Sequence, residues 1–401
     1  MYLTKEEERI LDGEMGEARQ LAMEVVVKVG EVMNAEKLIP VKSAHISGVS
    51  YKNIGDEGLE FLHELRDKGG MFTVKTTLNP SGIDLDKWSR MNSDEKFAKK
   101  QVEIISVFRE MGAIPILTCT PYFYVDINAG DHLAWAESNA VLYANSVIGA
   151  FTNREGGPLA VFEAIVGKAP YVGLHLKRNR FPSVIFDLKN VRDYVKERGL
   201  YANLGYYIGY IAKKGVPLIR NIPEGLREKD TLKLFLAAIG ASSGIGMVIL
   251  ENISPEYLNI MRENLSCLET LAPDVKEIID ASEKIQKSNL EDVDAILLGC
   301  PHLSLNDIRR IAIFFKYRKP KKRVILFTAR QLKRPAKKYV ELLEKNNVEV
   351  YYDTCMVVAD LRRMNVSSCI VDSAKAAYYL TAQGYDVKIL GLDEVLKVAT
   401  E

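Results

Sequence analysis

The sequence predicts an α/β protein built on mostly parallel sheets. Apolar, strand-like runs alternate with amphipathic helices along most of the chain, the signature of that class. Polar, small-residue segments rich in reactive side chains fall directly after the strands. Three cysteines each close such a run: Cys119 after Ile114–Thr118, Cys300 after Ala295–Gly299, and Cys355 after Val348–Thr354. Ligands of open α/β sheets gather at the carboxyl ends of strands.

The elements follow in order. Residues 4–36 read as helix in two segments broken near Gly13 and Gly16, with Leu21, Val25, Val26, Val29 and Val32 at helical spacing. Leu38–Val41 is a short strand and Ser43–Tyr51 a polar loop. A helix over 55–68, a strand over 71–76 and a polar loop over 76–82 come next. Residues 93–111 form a helix and 114–118 a strand. Residues 132–150 are small and helical, and Phe151–Pro158 is a Gly-rich polar turn. Residues 159–280 are less regular, and a helix over 257–288 joins them to the rest. The last 110 or so alternate cleanly, with strands near 294–299, 323–328, 348–352, 368–371 and 386–390. Helices near 304–316, 332–346, 374–382 and 392–399 separate them. The expected division is an N-terminal helical segment (1–36), a catalytic α/β region (37–284) and a C-terminal parallel α/β domain (285–401).

The chain has 401 residues and 47% apolar content, enough for several full cores. Its 54 basic and 53 acidic residues leave a net charge of +1, which argues against nucleic acid or a charged membrane surface as the main partner. Met1–Thr4 leads into an acidic helix start, not a signal peptide. No apolar run reaches the roughly 18 residues of a membrane span. Five widely and irregularly spaced cysteines do not suggest a disulfide framework. The expectation is a soluble, cytoplasmic protein with reduced thiols.

A cysteine taken alone is often a small buried hydrophobe, and Cys267 and Cys369 fit that description. Cys119, Cys300 and Cys355 differ because each stands at a strand end beside turn-forming residues. Three thiols can hold a metal or an iron–sulfur cluster, one fewer than a closed tetrahedral site needs. A zinc site that recruits His302, two residues after Cys300, competes with that reading.

The segments Ser43–Tyr51, Thr118–Tyr122, Gly299–His302 and Asp353–Cys355, in this order, resemble the aconitase X family. Phe151–Gly157 and Ser373–Tyr379 fit as well, although Val371-Asp372 stands where Thr-Asn is expected. The resemblance implies an aconitase-like multi-domain α/β/α fold, with a cluster site at strand carboxyl ends between domains. It implies a dehydratase whose cluster cysteines are Cys119, Cys300 and Cys355. The cofactor would be an iron–sulfur cluster, 4Fe-4S in type, which air can degrade as far as a single iron. Family members pair this large part with a small swivelling domain that carries a catalytic serine. Bacterial members fuse the two and act on hydroxyproline. Archaeal members keep separate chains and dehydrate mevalonate 5-phosphate to trans-anhydromevalonate 5-phosphate in isoprenoid biosynthesis. Because this chain stops at Glu401, the large subunit of such a pair is expected, with an incomplete site of its own.

Dehydrating a hydroxy acid requires a Lewis acid at the hydroxyl and donors around the carboxylate. The expected catalytic residues are His45, Ser47, Glu137 and Lys375. The expected substrate contacts are Gly48, Val49, Ser50, Asn79, Pro80, Ser138, Asn139, Asn145, Thr152, Asn153, Arg154 and Ser373, with Arg154 and Lys375 as the cations. A second reading rests on Gly240–Gly246, which looks like the nucleotide-binding turn of a short-chain oxidoreductase. The helical run before it and the Pro320 inside Tyr317–Lys321 speak against that.

Overall fold

Three parallel sheets and one antiparallel pair organise the chain. The computed structural model describes residues 1–401, apart from the side chains at positions 197 and 198. The first parallel sheet has Ser43–Ile46 at its centre, between Lys75–Leu78 and Leu133–Trp135. The second orders Ile249–Leu250, Pro217–Arg220, Val184–Asp187 and Thr270–Leu271. The third orders Val348–Tyr352, Val324–Thr328, Ala295–Leu303, Ser368–Val371 and Asp386–Ile389. In that sheet the chain starts in the middle, winds to one edge, then returns to build the other. The strand order therefore reverses beside Ala295–Leu303, and such a switch point opens a crevice at the strand carboxyl ends.

The expected α/β class with mostly parallel sheets is the one observed, and the third sheet keeps nearly the predicted elements. Its helices begin where the sequence supplies caps. Ser304 and Asp307 form a capping box, and Ser373 accepts the Ala376 N–H at 3.1 Å.

Several expectations are corrected. His45 lies on the central strand of the first sheet, not in a loop, because Ser43–Ile46 pairs with a strand on each side. The strand expected over 71–76 is formed by 75–78, and Leu133–Trp135 is a strand inside the stretch expected to be helical. Residues 114–118 form no strand: Ile114 makes one bridge to Thr77, and the chain then kinks at Leu117. No long helix covers 257–288. Pro273 breaks it, and an Asp274–Glu277 capping box starts a fresh helix, Val275–Ser282. The N-terminal helix Glu17–Val32 buries Ala18, Ala22, Met23, Val26 and Gly30, whereas Val32 is exposed. Small residues let that face approach closely.

One apolar cluster runs from Trp135 in the first sheet through Phe186 and Phe235 to Leu297 and Phe327 in the third. Polar clasps reinforce the seam. The Ser81 N–H donates to the Asp353 carbonyl at 2.7 Å, and the Tyr352 N–H donates to Asp84 Oδ2 at 2.8 Å. These clasps bring the polar loop after Lys75–Leu78 to the end of the strand that precedes Cys355.

Candidate active site

Each of the three cysteines is delivered by a left-handed backbone residue. Leu117 (φ 47°) precedes Cys119 by two residues, Gly299 (φ 113°) precedes Cys300 by one, and Asp353 (φ 66°) precedes Cys355 by two. Left-handed non-glycine residues cost of order 1–3 kcal/mol and persist where their surroundings enforce them. Leu117 is fully buried. Asp353 is clamped by the Arg330 guanidinium and by the Leu85 N–H. At Gly299 a Cβ would come within 2.2 Å of the Phe327 carbonyl oxygen, so only glycine lets the strand pass its neighbour there.

The thiols are buried and share one neighbourhood. Burial pushes Cys119 up to about 12, and Glu137 adds to that while Lys375 opposes it. Burial also raises Cys300, which feels the charge of both Cys355 and Cys119. Cys355 is raised for the same first reason. Iron would reverse these shifts, since a coordinating thiol is deprotonated outright. Among the described residues, no group of three or more His, Cys, Asp and Glu side chains is gathered closely enough for one metal ion. In a cluster each thiolate holds a different iron, so its cysteines need not meet at a point. Two buried atoms beside the thiols lack partners, Asn139 Oδ1 and Thr354 Oγ1. Unpartnered buried polar atoms at this place leave hydrogen-bonding capacity for a bound group. The donor set fits a multi-iron cluster better than a single zinc or iron. His302 is no ligand either, because both of its ring nitrogens are occupied.

Lys375 and Glu137 form a buried ion pair at the centre. Burial disfavours the Lys375 charge, but Glu137 and the nearby thiols Cys300 and Cys119 outweigh it and carry the ammonium upward. Ser138 Oγ lies 3.5 Å from the same ammonium. Glu137 also caps its helix by accepting the Ala140 N–H at 2.7 Å. Asn139 donates to the Cys119 carbonyl and to the Tyr122 hydroxyl. His45 packs edge-on to Trp135, with Nδ1 2.8 Å from Thr77 Oγ1 and Nε2 3.4 Å from Asn79 Oδ1. Burial holds His45 down to about 4 against the pull of Glu137, so it is neutral near pH 7. Ser47 donates to the Ala136 carbonyl at 3.3 Å, and Gly48 bends the adjoining rim with φ 78°.

Other expected contacts are committed elsewhere. Val49 is buried in a separate apolar cluster with Ile46, Leu59 and Leu78, Pro80 is buried, and Ser50 caps the helix that starts at Tyr51. Asn145 is saturated by Thr152, Gly246 and Arg180. Thr152 and Asn153 bond backbone groups, and Ser373 caps its helix. Arg154 donates through Nη1 to the Ser243 and Ile245 carbonyls. Its other N–H groups meet no acceptor among the described residues. Asp372 is buried, and one of its oxygens lacks a partner. Burial, with Asp307 nearby, pushes it up to about 7. Together with Lys233 and Pro301 it lines a cavity of about 690 Å³ that flanks Cys300.

The Gly240–Gly246 segment is not the strand-to-helix turn that a short-chain oxidoreductase places around its nucleotide, because it starts inside a helix. Gly240 lies inside the helix Lys229–Ser242, where a Cβ would press on Leu142 and Ser138 at 3.0 and 3.3 Å. The glycine serves close helix packing, and the following carbonyls hold Arg154. Thr77, Thr118 and Lys233 escaped the sequence reading, since nothing local marks a threonine or a helix lysine as a site residue.

The whole chain matches a set of family models. Residues 1–178 match the aconitase X first domain, 182–291 the second and 293–401 the third. This chain belongs to the aconitase X family. It is 41% identical, over 99% of its length and all of the relative's, to the phosphomevalonate dehydratase large subunit of Methanocaldococcus jannaschii. It is 40% identical to the Thermococcus kodakarensis protein of the same name, with both chains fully covered. The cis-3-hydroxy-L-proline dehydratase of Pseudomonas aeruginosa is 30% identical, over 98% of this chain and 69% of that protein. A crystal structure of Thermococcus kodakaraensis aconitase X in its holo-form superposes with a TM-score of 0.90 at 39% identity, covering both chains completely.

Proposed function

We propose that this chain is the cluster-bearing large subunit of a phosphomevalonate dehydratase, a hydro-lyase. The observation that carries the reading is the delivery of three buried thiols to one edge beside the Lys375–Glu137 pair, in a chain that matches archaeal large subunits over their full length. Cys119, Cys300 and Cys355 would hold an iron–sulfur cluster, 4Fe-4S in type. Bound there, it supplies a Lewis-acid iron that makes a hydroxyl a leaving group with no net redox change.

The chain's own residues then bind and orient. Lys375 and Ser138 hold the substrate carboxylate. Neutral His45 accepts from Thr77 at Nδ1, and its one N–H, held loosely by Asn79 Oδ1 at 3.4 Å, turns from Asn79 to the departing hydroxyl while Ser47 lines the rim beside it. Arg154, pinned at one nitrogen, offers its free N–H groups to the phosphate. Loss of the C2 proton and the C3 hydroxyl leaves a C2–C3 double bond and one water. The proton acceptor is a serine of a small swivelling subunit, so the site is completed by a second chain. No helix is long and apolar enough to cross a membrane, and we place the pair in the cytoplasm. The expected division at residues 36 and 284 is kept as part of this proposal.

The test is an anaerobic assay of the co-expressed large and small chains. Mevalonate 5-phosphate should be dehydrated and hydroxyproline should not. Turnover of hydroxyproline alone would overturn the substrate, and full activity of this chain alone would overturn the divided site.

A further inference from the structure

We infer that His302 is the positioning residue that holds all three thiol-bearing turns in register, an inference that rests on the cluster reading above. His302 follows Cys300 by two residues and is fully buried. Its backbone N–H donates to Cys119 Sγ at 3.3 Å. Its ring spans the remaining gap, with Nδ1 3.0 Å from Thr118 Oγ1 and Nε2 2.8 Å from the Thr354 carbonyl oxygen. One residue therefore touches the neighbour of Cys119, the neighbour of Cys355 and a sulfur, and is itself on the Cys300 turn.

The partners fix the direction of each bond. A carbonyl only accepts, so Nε2 carries the hydrogen toward Thr354. Nδ1 must then accept from the Thr118 hydroxyl. Thr118 Oγ1 accepts in turn from the Thr120 N–H at 3.2 Å. Thr118 is thus required as a donor, and a side chain of the same shape without the hydroxyl cannot replace it.

The helix Lys229–Ser242 anchors the hub from behind. Lys233, fully buried, donates to the His302 carbonyl at 3.0 Å. Asp307 and Asp230 neutralise its charge. The chain of contacts runs from the helix Lys229–Ser242 through the His302 backbone to a cluster sulfur. Hydrogen bonds to ligand sulfurs set cluster potentials, and partners just outside the ligand shell typically contribute about 10–100-fold in metal affinity.

The experiment compares anaerobically reconstituted wild-type chain with His302→Ala, Thr118→Val and Thr118→Ser. Iron and acid-labile sulfide, the lifetime of the visible absorbance in air and the cluster midpoint potential are measured. His302→Ala should lose the cluster about tenfold faster. Thr118→Val should shorten the lifetime and shift the potential, and Thr118→Ser should restore both. Wild-type lifetime and potential in both His302→Ala and Thr118→Val would overturn the inference. So would failure of serine to rescue, since that would make Thr118 a packing residue. Should His302→Ala not fold, the two threonine variants still decide. A wild-type chain that takes up no iron and sulfide would sink the cluster reading itself, a result distinct from equal behaviour of all four proteins.

Discussion

At the thiol edge the scaffold is saturated while the site is not. Every polar group of His302 has a partner, yet Asn139 Oδ1 and Thr354 Oγ1 beside the cysteines have none. At the Phe151–Gly157 turn the pattern is different. Asn145 and Thr152 are closed into hydrogen bonds, and what stays open is the remainder of the Arg154 guanidinium beyond Nη1 and one buried oxygen of Glu155. Under the proposed function the first region would grip a group that stays, and the second would present a charged arm to a molecule that comes and goes.

The comparison can be broken by substitution. The largest effect is expected at the edge itself: Cys300→Ser should abolish both iron retention and turnover, read by metal analysis and product formation. Next comes the buried ion pair. Lys375→Met should destabilise the apo chain by about 3–5 kcal/mol, because Glu137 is left buried without its counter-charge. The double variant Lys375→Met, Glu137→Gln should recover most of that in urea unfolding, yet no activity. A single variant as stable as wild type would show that the pair is not tightly coupled. Arg154→Ala should weaken kcat/KM for the phosphorylated substrate by about 10–100-fold, or roughly 1.4–2.7 kcal/mol, and leave iron content unchanged. Equal loss of iron would make Arg154 part of the edge. The smallest effect is expected at Ser50→Ala, which removes a helix cap worth about 1 kcal/mol and should leave KM alone.

Much of this was legible in the sequence, but unevenly. The third sheet reads almost residue by residue, since its strands are buried on both faces and flanked by capped, amphipathic helices. The second sheet did not, because two of its strands are two residues long and carry no periodicity. The cysteines were found from their place after apolar runs, although Ile114–Thr118 proved to be a kink held by Leu117. His45 was singled out for the wrong surroundings: short strands of small and polar residues look like loops until their neighbours are known. Val49, Ser50 and Asn145 lie in the right segments, but their partners are far away in the chain, and no local pattern reports that. His302 stands out in the sequence only as a rival metal ligand, since Thr118 and Thr354 meet its ring only in the folded molecule.

The most direct measurement is iron and acid-labile sulfide analysis of the anaerobically purified chain. Both are expected, in equal amounts and lost together in Cys300→Ser. Stoichiometric zinc without sulfide, or a metal-free protein active with its partner, would contradict it.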